Sequence, residues 1–136
     1  MTNPSLSPYL NFPGTCEEAM TFYQKVLGGK LDISRFGSDM KDIPKDWQNK
    51  VVHASLENDG LSFMASDTMP GAKQVVGDNV HISIAGTEEE RLTTIFNGLS
   101  VGGNVDAPLA KQFWGDIFGM LTDKYGVHWM INISTK

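Results

Sequence analysis

The sequence is poor in the residues that several classes of function need. It has one cysteine, Cys16, among 136 residues, which excludes an internal disulfide framework and a cysteine-rich zinc site. Its 11 Lys and Arg are outnumbered by 16 Asp and Glu and form no cluster, so we expect no nucleic-acid partner and no anionic membrane partner. It lacks the ~18-residue apolar run of a membrane span, and Met1 to Pro8 lacks signal-peptide features. We therefore expect a cytoplasmic protein that binds a small molecule or another protein.

What the sequence does contain is an internal repeat. Thr15 with Glu18 matches a capping box, and Thr87 with Glu90 matches it again. Each pair is followed by an apolar stripe at helical spacing. The stripes are Ala19, Phe22, Tyr23, Val26 and Leu27 in the first half, and Leu92, Ile95, Phe96 and Leu99 in the second. The threonines lie 72 residues apart (87 − 15), and so do the final leucines (99 − 27), which predicts two equivalent units.

Four strand-like segments accompany each predicted helix, one before it and three after it. They are Ser7–Phe12, Lys30–Phe36, Val51–Glu57 and Leu61–Ser66, then Asn79–Ala85, Asn104–Ala110, Ile117–Thr122 and Val127–Ile133. Asn58-Asp59-Gly60 is a hairpin turn signal, and Pro108 predicts an edge or bulged strand because proline cannot donate to a central ladder. The sequence thus predicts an α+β fold of two βαβββ modules in tandem, forming a cupped, mostly antiparallel sheet with the helices on its outer face.

The predicted modules belong to a single domain spanning 1–136. Module one covers about 5–67, a linker covers 68–78, and module two covers about 79–136. The first module contains a long irregular loop, Gly37 to Lys50. Trp47 in this loop is expected to be an exposed lid residue or part of a dimer contact.

Side-chain alternation divides the predicted strands into two faces. The set expected to pack against the helices is Leu10, Phe12, Val52, Ala54, Leu56, Leu61, Phe63, Ala65, Val80, Ile82, Ile84, Val127, Trp129 and Ile131. The other set is Tyr9, Asn11, His53, Ser55, Ser62, Met64, Ser66, His81, Ser83, His128, Met130 and Asn132. Short hydroxyls, amides, methionines and all three histidines are unusual for a fully solvated sheet surface. This mixture is typical of a half-buried ligand site with an apolar lining.

The residues resemble the PhnB-like, glyoxalase/bleomycin-resistance-like branch of the vicinal oxygen chelate superfamily over nearly the whole chain. The matching segments are Tyr9 to Phe12, Glu18-Ala19, Phe22-Tyr23, Gly28-Gly29, His53-Ala54, Met64 to Asp67, Phe113 to Gly115, Phe118-Gly119 and Asp123 to Met130. The resemblance implies the paired βαβββ fold, a cupped sheet and a homodimer. Some members have been labelled ubiquinone methyltransferases, but no Rossmann-like glycine fingerprint follows a predicted strand here.

Metal-dependent relatives place His, Glu, His and Glu, or close substitutes, on the first and last strands of each module. The resemblance puts Ser7 or Tyr9, Met64, His81 and Met130 at those places. Thioethers are poor ligands for hard divalent ions, so only His81 suits the role. We therefore expect no metal and no cofactor, with one divalent ion near His81 as the alternative. A site built from His53, His81 and His128 is a further alternative.

The residues predicted to bind the ligand come from the pocket face and from the loop before the seventh strand. They are Tyr9, Asn11, His53, Met64, Ser66, His81, Ser83, Trp114, Phe118, His128 and Met130. Trp114 and Phe118 suit either a pocket wall or the core. No catalytic residue is assigned, although His81 is the best candidate for a general base. Asp67 and Asp123 are expected to be structural, and Cys16 to be inert.

Three functions remain open at this point. The first is a small-molecule-binding, glyoxalase-like protein without the usual metal site, because both carboxylate positions hold methionine. The second is a metal-dependent isomerase, lyase or dioxygenase of the vicinal oxygen chelate class. The third is a drug-binding resistance protein, although the predicted cup contains few carboxylates for a cationic drug. Whether the chain is an enzyme stays undecided, and the PhnB-like resemblance favours a homodimer.

Overall fold

The computed structural model describes residues 3–39, 42–69 and 71–135. Its elements are β1 (Tyr9–Phe12), α1 (Cys16–Leu27), β2 (Lys30–Arg35), α2 (Phe36–Asp39), a 3-10 turn (Lys45–Trp47), β3 (Val51–Asn58), β4 (Leu61–Asp67), β5 (Ile82–Gly86), α3 (Glu89–Ser100), β6 (Asn104–Lys111), β7 (Ile117–Thr122) and β8 (His128–Ile133). Parts of the predicted loop, linker and second module fall at positions 40, 41, 70 and 136, which lie outside the described residues. Among the described helices, none has the length and apolar character that a membrane crossing requires.

The chain divides into two compact units, Met1–Val75 and Val76–Lys136, each with its own four-stranded sheet. The strand orders are β1-β4-β3-β2 and β5-β8-β7-β6. In each unit the first strand pairs in parallel with the last, and the remaining pairs are antiparallel. The order βαβββ occurs in both units, so the predicted α+β fold of repeated βαβββ modules is confirmed. The boundary between the units falls inside the segment 68–78.

The hairpin between β3 and β4 is as tight as the sequence predicts. Asn58 pairs with Leu61, so only Asp59 and Gly60 form the turn. Both have positive φ, 38° and 87°, which is the backbone of a type I′ turn. Asparagine, aspartate and glycine accept this conformation best, which is why the turn was visible in the sequence.

Pro108 was predicted to lie in an edge strand or a bulged strand, and the structure confirms both. Strand β6 is the edge strand of the second sheet. Its pairing with β7 shifts register between Ala107 and Ala110, which is the segment that contains Pro108. The missing N–H of the proline therefore interrupts no central ladder.

The core of the first unit lies between α1 and the face of its sheet that carries Phe12, Ala54, Phe63 and Ala65, all of which are buried. The ring of Tyr23 on α1 meets the ring of Phe63 edge-on, with centroids 5.7 Å apart. Of the predicted stripe, Ala19, Tyr23 and Leu27 are buried, and Phe22 and Val26 are half-buried. Cys16 and Met20 complete the buried face of the helix and were not in the predicted stripe.

The core of the second unit follows the same plan. All four residues of the predicted stripe on α3 are buried, with relative exposures of 0–6%. They pack over the face of the sheet that carries Ile84, Leu121, Trp129 and Ile131. Gly119 brings the sheet closest to the helix, because a Cβ atom there would lie 2.8 Å from Cε2 of Phe96.

Both predicted capping boxes are wrong in detail. Thr15 precedes α1, but its side chain makes no capping hydrogen bond. The buried carboxylate of Asp67 takes that role and accepts the N–H of Cys16 at 2.8 Å. Helix α3 begins at Glu89 with Glu88 as its N-cap residue, which is one residue later than an N-cap at Thr87 would start it. A carboxylate at the end of a distant strand can replace a local cap, and sequence spacing cannot reveal it.

Two residues of the predicted helix-packed layer do not belong to it. Val80 precedes β5 and is 72% exposed, because the strand begins at Ile82 and not at Asn79. Val51, not Val52, is the buried residue at the start of β3. A register shift next to Arg35 in β2 pairs that residue with Val51 and breaks the alternation.

Trp47 is not the exposed tryptophan that the sequence predicts. It is half-buried, and its ring meets the buried ring of Phe36 edge-on with centroids 5.9 Å apart. Backbone hydrogen bonds from Phe36 to Lys50 and from Gly37 to Gln48 hold the two ends of this loop together. Trp47 therefore closes a satellite of the first unit's core.

Candidate functional site

Each sheet has one face that its helix does not cover, and we call these the open faces of unit 1 and unit 2. The open face of unit 1 carries Tyr9, Asn11, His53, Ser55, Ser62, Met64 and Ser66. The open face of unit 2 carries Ser83, Phe118, Met120, Thr122, His128, Met130 and Asn132, with His81 just before β5. Each residue on these faces is half-buried or exposed. All predicted site residues except Trp114 lie on one of these two faces.

The predicted residues of unit 1 meet in two pairs. The hydroxyl of Tyr9 lies 3.3 Å from Nδ1 of His53, and the two rings are tilted against each other with centroids 5.9 Å apart. The hydroxyl of Ser66 donates to Oδ1 of Asn11 at 3.3 Å. The backbone carbonyl of Asn11 also accepts a hydrogen bond from Nε2 of Gln74. This face therefore offers hydrogen-bonding groups around a single thioether, Met64, and it also carries Asp32 opposite Ser55 and Glu57 opposite Ser62.

The predicted residues of unit 2 cluster more strongly. The rings of His81 and His128 lie 5.4 Å apart between centroids. Nδ1 of His128 lies 2.9 Å from the hydroxyl of Thr122, and its Nε2 lies 3.2 Å from the carbonyl of Gly77. The hydroxyl of Thr122 donates to Asp106 at 2.7 Å. This polar chain crosses three strands of the sheet, from β8 through β7 to β6.

Asp106 ends the polar chain on the edge strand. Its second oxygen accepts a hydrogen bond from Asn104 at 2.7 Å. The hydrogen bonds from Thr122 and Asn104 hold the pKa of the Asp106 carboxyl below its ordinary value, and the charges of His128 and His81 act in the same direction. The carboxylate is exposed, and each of its oxygens accepts one hydrogen bond from its own unit.

The opposite end of the open face of unit 2 is aromatic. Trp114 lies in the turn between β6 and β7, 6.1 Å from Phe118 and 5.0 Å from Phe113 between ring centroids. Trp114 is 46% exposed, which does not agree with the core-packing alternative for this residue. Phe118 is half-buried and pairs with Asn132 across the strands. The aromatic end is therefore available to a flat or apolar group.

A methionine occupies the centre of each open face. Met64 on β4 has Tyr9 opposite it on one side and Ser55 on the other. Met130 on β8 has Ser83 on one side and Met120 on the other. The sequence puts His81 at the place equivalent to Ser7 or Tyr9. The register agrees with Ser7, since the residues opposite the two methionines, Tyr9 and Ser83, lie 74 residues apart (83 − 9), as do Ser7 and His81 (81 − 7).

The donors at these central positions do not fit the divalent metal that the fold family implies. Phenol, hydroxyl and two thioethers are weak ligands for hard divalent ions. His128 has both ring nitrogens within hydrogen-bonding distance of its own unit. Within residues 3–39, 42–69 and 71–135, no three His, Cys, Asp or Glu side chains are arranged to hold a metal ion.

Two conspicuous acidic residues have structural partners. Asp67 accepts the N–H groups of Cys16 and Val51, and Asp123 accepts Nε1 of Trp129 at 2.9 Å. Asp123 also accepts two N–H groups of its own turn. Both carboxylates are about 3% exposed and satisfy donors in the core, as the sequence predicts for residues at strand ends.

Cys16 is buried and contacts no open face. Burial raises the pKa of its thiol to about 12, and the neighbouring Asp67 carboxylate acts in the same direction. A thiol that stays protonated is a poor nucleophile. The expected inert cysteine agrees with this environment.

Sequence reasoning missed three residues of the open face of unit 2. Met120 and Thr122 alternate with the buried Gly119 and Leu121, so strand parity along β7 carried the signal. Asp106 carried no such signal, because the bulged strand β6 does not alternate regularly.

The two βαβββ units have the glyoxalase-like fold. A structure with this fold, a glyoxalase/bleomycin resistance protein/dioxygenase from Nocardioides, has a TM-score of 0.62 at 16% identity, covering 100% of this chain and 87% of that one. The chain belongs to the PhnB-like family whose model is described as 3-demethylubiquinone-9 3-methyltransferase and matches residues 4–132.

Relatives cover almost the full length of the chain. Protein YjdN of Escherichia coli (strain K12) is 34% identical over 141 residues, covering 94% of each chain. The solved structure of protein PA1353 from Pseudomonas aeruginosa has a TM-score of 0.87 at 37% identity, covering 97% of this chain and 98% of that one. A PhnB protein from Bacillus cereus has a TM-score of 0.77 at 27% identity, with 96% and 100% covered.

Proposed function

We propose that the protein binds a small, partly apolar organic molecule on its open sheet faces, without the divalent metal of its metal-dependent relatives. The proposed contacts are Tyr9, Asn11, His53, Met64, Ser66, His81, Ser83, Trp114, Phe118, His128 and Met130. The observation that carries the proposal is the central methionine of each face, Met64 or Met130, bordered by neutral hydrogen-bonding groups. Thioethers adapt to apolar ligands of irregular shape, and the surrounding hydroxyls and imidazoles can orient a polar group.

Of the two open faces, that of unit 2 offers the wider range of contacts to a ligand. Its open face has an apolar middle, Met120 and Met130, between a polar end at His81 and an aromatic end at Trp114. A molecule lying along this face would contact polar, apolar and aromatic groups in turn. Such a gradient favours an elongated ligand with one polar terminus.

His81 is the residue we propose to exchange a proton with a bound ligand, should a reaction occur there. It is half-buried, and its ring contacts His128. Within the described part of the chain, its ring nitrogens have no hydrogen-bond partner, unlike those of His128. An imidazole so placed can accept or donate a proton.

Native mass spectrometry of protein taken directly from cells tests this proposal. We expect a retained organic ligand of defined mass and no stoichiometric metal. The same spectra report subunit number, for which we propose a homodimer. Ligand mass that disappears in a Met130→Asp variant, and persists in a Glu89→Asp variant on the exposed start of α3, supports the assignment to the open face of unit 2.

A metal-loading experiment separates this proposal from the metal-dependent enzyme. Purified protein is offered Ni²⁺, Zn²⁺, Mn²⁺ and Fe²⁺ and then desalted, and bound metal is measured in wild type and His81→Ala. We expect less than about 0.1 metal per chain in both. One metal per wild-type chain that is lost in His81→Ala would refute the metal-free proposal and establish the second function.

We further propose that residues 5–67 and 79–136 are two modules of one domain joined by 68–78, and that the protein acts in the cytoplasm. One cysteine among 136 residues, buried in the first unit, suits a reducing compartment. Limited proteolysis and fractionation of cells test these two points separately.

A further inference from the structure

The aromatic end of the open face of unit 2 also carries a carboxylate. Asp116 lies just before β7, two residues from Phe118 and therefore on the same side of the chain. Nδ2 of Asn132 on β8 donates to Oδ2 of Asp116 at 3.0 Å, and Asn132 lies opposite Phe118. The contact with Asn132 places the Asp116 carboxylate on the open face, at the end where the aromatic rings lie.

This carboxylate differs from the structural aspartates of the protein. Asp67 and Asp123 are about 3% exposed and accept two and three N–H groups. Asp116 is half-buried, and within residues 3–39, 42–69 and 71–135 it accepts one side-chain hydrogen bond, on Oδ2. Its Oδ1 can therefore accept a hydrogen bond from a ligand.

Three aromatic rings lie at this end of the face, and we call Phe113, Trp114 and Phe118 the aromatic corner. The rings of Phe113 and Trp114 meet at 88° with centroids 5.0 Å apart, and those of Trp114 and Phe118 meet at 63° with centroids 6.1 Å apart. Phe113 is 98% exposed and Trp114 is 46% exposed, so the core does not fill the corner. The face of an aromatic ring attracts a cation.

Hydrogen bonds hold the turn that carries Trp114. The N–H of Gln112 donates to the carbonyl of Asp116 at 2.8 Å, and the N–H of Gly115 donates to the carbonyl of Gln112 at 3.0 Å. The hydroxyl of Thr135 donates to the carbonyl of Gly115 at 2.8 Å. The exposed rings are therefore presented by an ordered turn, which lowers the entropy cost of binding a ligand there.

Small side chains flank this end of the face on both edge strands. One row of paired residues crosses the four strands, and its members are Ala85, Asn132, Phe118 and Ala110. Both alanines are exposed. Strands β5 and β6 therefore contribute only methyl groups to this row, which leaves room for a ligand beside Asn132 and Phe118.

A neighbouring lysine does not neutralise Asp116. Lys111 on β6 pairs with Ile117, which pairs with the buried Ile133 on β8. Cross-strand partners share a face, so Lys111 projects on the side of the helix and not on the open face. Among the described residues, no ion pair includes Asp116. The negative charge at the aromatic corner is therefore available to a ligand.

We propose that this end of the open face of unit 2 binds an organic ammonium ion. Oδ1 of Asp116 accepts an N–H of the ammonium group. The carbon atoms bonded to the nitrogen lie against the rings of Trp114 and Phe118. The remainder of the ligand runs along Met120, two residues further on β7. This inference rests on the proposed function, because it names the chemical class of the ligand for that face.

Three probes of equal chain length test which charge the site selects. Hexylammonium, hexanamide and hexanoate are titrated in about 0.1 M salt, which screens the net charge of −5. The indole N–H signals of Trp47, Trp114 and Trp129 in nitrogen-15 NMR report where each probe binds. We expect the Trp114 signal alone to shift. Hexylammonium should bind about tenfold more tightly than hexanamide, and hexanoate should bind most weakly.

An Asp116→Asn variant removes the charge and keeps the shape of the side chain. We expect it to bind hexylammonium no more tightly than hexanamide. Asp59→Asn is the matched control, because it removes the same charge from an exposed turn that also accepts asparagine. This control should keep the tenfold preference. An unchanged indole signal of the buried Trp129 verifies that each variant is folded.

A Trp114→Leu variant tests the ring, since it keeps an apolar side chain and removes the aromatic face. We expect the preference for hexylammonium over hexanamide to fall to about threefold, measured from the methyl signal of Met120. An unchanged preference in this variant would overturn the role of the aromatic corner. A preference that persists in Asp116→Asn would overturn the inference as a whole.

The remaining outcomes separate this inference from the proposed function. Equal binding of the three probes at Trp114 overturns the ammonium class and leaves the proposed function intact. Binding of none of them, with a ligand retained in native mass spectra, also overturns the ammonium class alone. Binding of none, with no retained ligand, overturns the proposed function as well.

Discussion

The two units share one backbone plan, yet their open faces differ in chemistry. Unit 1 places the hydroxyl residues Tyr9 and Ser55 on either side of Met64, and its two side-chain pairs, Tyr9–His53 and Asn11–Ser66, are each 3.3 Å long. Unit 2 surrounds Met130 with a second methionine, aromatic rings and a charged hydrogen-bond chain. The βαβββ unit therefore fixes which strand positions face away from the helix, and side-chain identity alone sets what each face can bind.

The pairing register is the same in both units, since Tyr9 lies opposite Met64 and Ser83 lies opposite Met130. Two residues before these partners, unit 2 has His81 and His128, whose rings are in contact. Unit 1 has Ser7 and Ser62 at the equivalent places. The histidine pair of unit 2 therefore comes from side-chain identity and not from register.

The first prediction concerns Cys16, a buried residue of unit 1 that has no cysteine counterpart in unit 2. We expect the thiol of Cys16 to react with a thiol reagent at pH 8 at least about a thousandfold more slowly in native protein than in urea, because it is buried and its pKa is raised to about 12. Stopped-flow or manual mixing with a chromogenic disulfide measures both rates. Equal rates would show that α1 does not stay docked.

The second prediction compares the buried aspartate of each unit. Asp67→Asn places an amide group against the N–H of Cys16 or Val51, and we expect a loss of about 3 kcal/mol in the free energy of unfolding. Asp123→Asn should cost a similar amount in unit 2, because that carboxylate accepts Trp129 Nε1 and two backbone N–H groups. Urea titrations measure both variants.

Asp32→Asn is the control for this pair, since its side chain is 65% exposed and its ion pair with Lys30 is 3.9 Å long. We expect a change within about 0.5 kcal/mol. If Asp67→Asn changed the free energy of unfolding as little as Asp32→Asn, the cap that Asp67 provides for α1 would not contribute to stability.

The third prediction concerns the closest approach of helix and sheet. Gly119 in unit 2 and Ala54 in unit 1 occupy equivalent places, since Gly119 pairs with Ile131 and Ala54 with Ala65. Gly119→Ala would bring a Cβ atom to 2.8 Å from Phe96 and should cost about 1–3 kcal/mol. Ala54→Gly should cost about 1 kcal/mol, because it adds backbone freedom and leaves a small void. Thermal unfolding ranks them, and a neutral Gly119→Ala would contradict the close packing.

The fourth and smallest prediction concerns acid. A carboxyl whose folded-state pKa is lowered contributes stability above its unfolded pKa and loses it as pH falls through the folded value. The hydrogen bond from Thr122 lowers the pKa of Asp106 in unit 2, and the hydrogen bond from Arg35 lowers the pKa of Glu17 in unit 1. Both are solvent-exposed, so we expect about 0.5 kcal/mol or less for each.

Thr122→Val and Arg35→Gln should therefore be slightly less stable than wild type at pH 7, and the differences should vanish near pH 2. Carboxyl NMR titrations give the same answer directly, with the Asp106 pKa returning towards its ordinary value in Thr122→Val. A stability difference that grew as the pH fell would have the wrong sign for this account.

Much of the fold was predictable because its signals are local. The helical stripe of α3, the turn at Asp59 and Gly60, and the edge strand at Pro108 all depend on residues close in sequence. The cap from Asp67 to Cys16 spans 51 residues and has no spacing rule. The bulge beside Arg35 likewise breaks parity at Val51 without a local signal.

For the candidate site, the sequence predicted which side chains share one face of a sheet. It did not predict which of them form hydrogen bonds with one another. Side-chain alternation along each strand predicted that Tyr9, His53, His128 and Met130 lie on the sheet face that the helix does not cover. Which of them meet depends on register, and the pairing of Ser83 with Met130 leaves the ring of His81 beside that of His128. The role of Asp106 depends on pairing across β6, β7 and β8, which sequence spacing does not encode.

The central claim is that the ligand binds on the open face of unit 2, at Met130. Methionine-methyl NMR tests it most directly, by comparing protein purified with its cellular ligand to the same protein after the ligand has been removed by unfolding and refolding. We predict that the Met120 and Met130 signals move and that the signal of Met20, on the buried face of α1, does not. Identical spectra from a preparation whose ligand is seen by mass spectrometry would contradict the account.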